Sequence, residues 1–254
     1  MKPSRHDPRR DPREVEARAV ELSPEELARL GGAPQAGQEV DRSTFLMRVY
    51  GHLLAAIAGF VLLEAWIFQS GLAETLARAL LGVNWMLVLG GFMVVGWLAR
   101  GMAARATSTG VQYAALALYV AGQAVIFVPL LYVAEHYSGG GVITSAAALT
   151  VLGFVGLTLI VLQTRKDFSF LGGLLRWGGV MALLAIAGGV FFGWELGTWF
   201  SLAMVALAGG AILYDTSNIV RHWPTDRHVA AALELFASVA LMFWYILRLL
   251  MSRR

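Results

Sequence analysis

Two carboxylates flank a proline turn near the C-terminal end of the chain. Asp215 lies nine residues before Pro224, and Glu234 lies ten residues after it. Residues 202–214, ahead of Asp215, are almost wholly apolar, and so are most of the residues around Glu234. A carboxylate near the middle of a membrane helix costs roughly 2.5–3.5 kcal/mol on insertion scales, so it is seldom left without a partner. If the two apolar runs form an antiparallel helical hairpin, both carboxyls lie about 13–15 Å of helix from the turn. Two carboxyls at one depth in a low-dielectric medium can share a proton or bind a cation. Either would make a pH-gated site. Local hydrogen bonding of Asp215, or pairing with a basic residue such as Arg100, is the alternative.

Calcium is the metal these two acids would suit, because it takes oxygen ligands. Asp215 and Glu234 alone supply too few. Thr216, Ser217, Asn218 and Ser238, backbone carbonyls and water are the candidates for the remainder. No other cofactor is expected.

Composition says what must position these groups. Of 254 residues, 57% are hydrophobic and 15% charged, where a soluble domain carries about 25% charged. Close to half of the charges fall in residues 1–42. The remainder reads as an all-α integral membrane domain, residues 43–254, preceded by a polar, largely disordered cytosolic tail. Within the tail, Ser23, Pro24 and Glu26 form a capping-box pattern that predicts a short helix near 24–30, ended by Gly31-Gly32. The tail contains no apolar stretch of signal-peptide length. Net charge is only +3, with the basic residues scattered in short loops, so nucleic acid is not an expected partner. Cysteine is absent, which excludes disulfide and thiolate chemistry.

Seven apolar runs, 45–68, 85–98, 111–133, 142–162, 171–192, 196–220 and 229–251, predict seven transmembrane helices. The second is short and extends toward Gly101. Arg42 and Arg48, then Arg100 and Arg105, then Arg165, Lys166 and Arg176, then Arg221 and Arg227 mark one side of the membrane. The positive-inside rule makes that side, and the N-terminus, cytoplasmic. Arg253 and Arg254 then lie on the wrong side, and are outvoted; a re-entrant seventh segment is the alternative that removes the conflict. Pairs such as Gly172-Gly173, Gly178-Gly179 and Gly188-Gly189 suit close helix packing.

Weaker polar signals remain. Glu64 reads as a snorkelling or bridging group, His52 as a hydrogen-bonded packing residue, and Gln112 and Gln123 as interhelical partners. The chain has no Walker loop, His-Glu-x-x-His or Gly-x-Ser-x-Gly motif, so no enzyme activity is expected.

Three segments carry a resemblance. They are GGVITS from Gly140, TRKDFSFLGG from Thr164 and ILYDTSNIV from Ile212. In order and spacing they resemble the Bax inhibitor-1 / YccA family, over about residues 43–251. The resemblance implies a calcium-leak or pH-responsive fold with six helices around a central seventh. It also implies a pH sensor of two aspartates, one in each of the last two long spans. Asp215 matches the first. Matching Pro224-Thr225 and residues 230–233 puts Ser238 at the second, and the nearest acid, Glu234, stands one helical turn earlier, roughly 6 Å away. Arg100 corresponds to the family's basic latch partner. Bacterial members include a modulator of the membrane-bound FtsH protease with a cytosolic tail. The expectation is therefore a pH-responsive calcium leak in a bacterial inner membrane. The alternative is a non-conducting regulator of an FtsH-like membrane protease that docks through the tail.

Overall fold

The computed structural model describes residues 24–83, 85–105, 108–138, 140–164 and 166–252, with side chains from residue 41 except at several positions between 84 and 104. The chain divides into two units, 1–44 and 45–254, and the second carries the candidate site. The described residues form eight helices and no strand: α1 Pro24–Gln69, α2 Leu72–Leu81, α3 Trp85–Arg105, α4 Thr109–Tyr137, α5 Val142–Thr164, α6 Leu171–Phe192, α7 Thr198–Arg221 and α8 His228–Met251.

Six stretches are long and apolar enough to cross a membrane, namely Asp41–Gln69 and helices α4 to α8. In α3 the qualifying apolar stretch is shorter, Met93–Ala103. Two boundaries differ from expectation. The helix expected near 24–30 lies within α1, which starts at Pro24 and runs through Gly31-Gly32. Gly31, Gly32, Pro34 and Gly37 all disfavour an interior helical turn, the glycines by about 1 kcal/mol each and the proline by about 3, and the local sequence does not explain this continuation. Residues 1–23 lie outside the described residues. Arg100 and Arg105, expected in a loop, belong to α3, because Ala, Met and Arg after Gly101 extend the helix.

Helix α8 contains neither glycine nor proline and is rich in Ala and Leu, so its backbone is strongly helical. It is also the buried centre of the domain. Of its apolar stretch 72% is buried, against 11% for α6. Val229, Ala231, Leu235 and Leu247 are wholly inaccessible. Helices α3, α4, α5 and α7 pack directly on α8, and Phe45, Val49 and Leu53 of α1 join the same core cluster. Of the six helices expected around a central seventh, α1, α3, α4, α5 and α7 lie against α8, and the exception is α6. That helix packs on α7 and α3, but not on α8.

Glycine explains the α6–α7 contact. A Cβ at Gly172 would come within 2.8 Å of Tyr214 Cε2, and one at Gly178 within 2.7 Å of Leu207 Cδ1. The bare backbone of α6 lets α7 approach at the level of the Tyr214-Asp215 pair. Gly193, at φ 71°, ends α6 in the left-handed conformation that glycine adopts without penalty. The lipid-facing surface is correspondingly apolar, with Leu62, Leu152, Trp177 and Phe191 all strongly exposed. One element was not expected. The segment between the first two apolar runs folds as α2, with Ala73 and Ala77 buried and an ion pair between Glu74 and Arg78 on the outside.

Candidate functional site: a carboxylate cluster between α3, α7 and α8

Asp215 is half-buried on α7. The Ser238 hydroxyl, from α8, donates to its Oδ2 at 2.5 Å, the distance of a charge-assisted O–H···O⁻ bond. Glu234 stands one turn earlier on α8 and does not hydrogen-bond Asp215. Its Oε2 lies 3.4 Å from Arg100 Nε on α3. Glu234 and Arg100 are both close enough to Asp215 to act on it electrostatically. The two acids therefore belong to one cluster, but the direct pairing expected from hairpin symmetry is replaced by two separate contacts. Residues 234 and 238 share a face of α8 but stand one turn apart along it. Ser238 is level with Asp215 of α7, and Glu234, one turn closer to the Pro224 turn, reaches Arg100 of α3.

The cluster extends along α4. The Arg100 guanidinium lies 6.0 Å from the centroid of the Tyr119 ring, and the Gln123 amide donates to the Tyr119 hydroxyl at 3.0 Å. Gln123 thus bonds within its own helix, not between helices as expected. Thr216 is fully buried beside Asp215 in sequence. Its hydroxyl is near that of Tyr50, but it forms no hydrogen bond with any protein group. Its expected support of Asp215 does not appear as a contact.

The loop before α6 reaches the same helix. Asp167 Oδ1 accepts from the backbone N–H of Ser169 at 2.9 Å and from the Ser217 hydroxyl at 3.3 Å. Ser217 Oγ in turn accepts from the Phe168 N–H at 2.9 Å. Two of the segments that carried the family resemblance are therefore joined, two residues from Asp215. The Ser169 N–H, and then its hydroxyl, hold the exposed Asp167 carboxyl below its ordinary value of 3.8.

Other sequence candidates fall outside the cluster. His52 donates from Nδ1 to the Arg48 carbonyl at 2.6 Å, and its Nε2 accepts from the Tyr113 hydroxyl at 2.7 Å, as expected of a packing residue. Glu64 neither snorkels nor bridges. It is 7% exposed, and among the described residues neither carboxyl oxygen has a hydrogen-bond partner. As a calcium site, Asp215 and Glu234 lack company: among the described residues no group of three or more His, Cys, Asp or Glu converges. Calcium takes 6–8 oxygens, and here Ser238 occupies one acid while Arg100 neutralises the other.

Beside the cluster lies a cavity of about 630 Å³ between α3, α4, α6, α7 and α8. Arg100 lines it near the carboxylates, and Arg248 of α8 lines it near Trp194 and Leu196. It occupies the space that separates α6 from α8. Nothing in the sequence marks it, because it depends on how far one helix stands from another.

Comparison with known proteins agrees with the residues. The profile of the family described as "Inhibitor of apoptosis-promoting Bax1" matches residues 42–254. The uncharacterized protein PA2604 of Pseudomonas aeruginosa is 38% identical over 115 residues, 44% of this chain and 50% of that protein. "Modulator of FtsH protease YccA" of Escherichia coli is 36% identical over 112 residues, 44% of this chain and 51% of that protein. The uncharacterized protein NMA0420 of Neisseria meningitidis is 30% identical over 150 residues, 58% of this chain and 65% of that protein. The chain thus spans about half to two-thirds of the length of the curated relatives it matches. The family match alone covers the whole membrane domain, including Asp215, Ser238 and the loop at Asp167, and the chain belongs to the Bax inhibitor-1 family.

Proposed function

We propose that this chain is a pH-responsive, seven-span inner-membrane protein, N-terminus cytoplasmic, in which protonation of Asp215 opens a calcium leak. The observation that carries this reading is the Ser238–Asp215 hydrogen bond between α7 and the central helix, beside the Arg100–Glu234 pair. An ionised carboxylate only accepts hydrogen bonds, and it attracts Arg100. Protonation removes that charge and gives Asp215 a proton of its own to donate. The tie between α7 and α8 and the attraction to α3 then change together, at the point where three helices meet. The seventh span is α3. Its 21 residues extend about 31 Å at 1.5 Å per residue, enough for a hydrocarbon core of roughly 30 Å.

The flux of calcium into proteoliposomes, stepped in pH, tests this. Wild type should leak in a pH-dependent way and Asp215→Asn should not follow pH. Equal, parallel profiles would remove Asp215 from the site.

A second reading has its own support in the Escherichia coli relative named as a modulator of the FtsH protease. Here the chain conducts nothing, is not an enzyme, and acts by binding a membrane protease through residues 1–40. Affinity purification from native membranes separates the readings. A regulator brings down a protease of that class and loses it on deletion of residues 1–40, whereas a leak needs no companion.

A further inference from the structure

The 630 Å³ cavity has two arginines, and they are not equivalent. Arg100 is answered by Glu234. Arg248 donates from one Nη to the Leu196 carbonyl at 2.9 Å, and among the described residues no carboxylate pairs with it. A guanidinium offers five N–H donors, and one in a membrane helix is normally matched by an acceptor or an anion. Between the two arginines the wall is apolar, formed by residues such as Leu183, Ile186 and Phe127. A cation pathway would not place an unpaired guanidinium at one end. An apolar slot with a positive group at its mouth instead matches an anionic amphiphile.

The position of the slot narrows the occupant. It lies against α6, the least buried of the six long apolar spans, where among the described residues the α6 backbone does not approach that of α8. Its volume is within the roughly 300–1,000 Å³ of sites that enclose a small organic ligand, room for one acyl chain and not for a whole two-chain lipid. We propose that the cavity holds one acyl chain of an anionic phospholipid, with the headgroup phosphate bound by Arg248. The second chain stays in the bilayer along α6. Such a lipid would replace the missing α6–α8 contact, so it is a structural ligand of the domain and does not depend on proton sensing at Asp215.

Native mass spectrometry of the full chain, exchanged through vesicles of dioleoyl phosphatidylglycerol or of dioleoyl phosphatidylcholine, tests this. Wild type should retain one phosphatidylglycerol per chain, about tenfold more than phosphatidylcholine, as expected for a charge-assisted contact. Arg248→Gln should erase the preference while keeping the weaker, headgroup-independent retention. Ala182→Trp, which fills the slot from α6, should retain neither lipid. Equal retention of both lipids by wild type would overturn the proposal. So would an unchanged preference in Arg248→Gln, which decides the matter if Ala182→Trp fails to fold. Displacement of the bound lipid by inorganic phosphate alone would show a headgroup site without a chain, and would also overturn it.

Discussion

At Asp215 the second acid expected nearby is a serine, and that substitution can be reversed. Ser238 already sits 2.5 Å from the Asp215 carboxylate. Ser238→Asp would put two carboxyls at that point, where like charges titrate as a coupled pair. The pH dependence of calcium flux should therefore spread from one step in wild type into two separated steps, a shallower profile, in the variant. An unchanged slope would mean that Ser238 does not face the working carboxylate. Arg100 and Glu234 are each partly exposed, and their contact is 3.4 Å. A double-mutant cycle with Arg100→Gln and Glu234→Gln should give a coupling of about 0.5–1 kcal/mol in detergent unfolding. Asp167 behaves differently. Its folded pKa lies below the ordinary 3.8, so its contribution to docking the loop is complete above that value and is lost as pH falls through the lower folded value. Asp167→Asn should loosen the loop, visible as faster hydrogen exchange at 168–170, and should leave the neutral-range pH response unchanged. At this scale the sequence made Asp215 legible, as a charge in an apolar run. The pairing of Glu234 with Arg100 was not legible, because it joins α3 to α8 across more than 130 positions of chain and depends on how α3 packs beside α8.

Among the helices, composition and periodicity located α4 to α8 within a few residues, because long apolar runs leave little choice of structure. They did not reveal α2, whose ten residues mix Leu and Ala with Glu74 and Arg78 and read as a loop by hydropathy. Its two buried alanines, four residues apart, were the available signal. Glycine placement on α6 leads to a sharper test. Gly178 faces Leu207 of α7, while nothing stands within 4 Å of a Cβ at Gly179. Gly178→Leu should destabilise the domain by about 1–3 kcal/mol through overpacking, measured as a lower thermal midpoint in detergent. Gly179→Ala should have little effect. Equal losses from both would mean that the α6–α7 interface is not the one described.

The unit 45–254 is a central buried helix with α1, α3, α4, α5 and α7 against it, α6 held outside, and a cavity in the resulting gap. Family membership and the membrane class were readable from composition and three motifs. The standoff of α6 was not, since no residue type encodes a distance between helices. The Asp215–Ser238 contact lies where α3, α7 and α8 converge, and in the proposed reading a proton at Asp215 changes how the central helix is tied to two of its neighbours. Infrared difference spectroscopy of the reconstituted chain, across a step from alkaline to mildly acidic pH, reads that proton directly. The account predicts a protonated-carboxyl band that appears in wild type, is lost in Asp215→Asn and persists in Glu234→Gln. A band that survives in Asp215→Asn and vanishes in Glu234→Gln would contradict it.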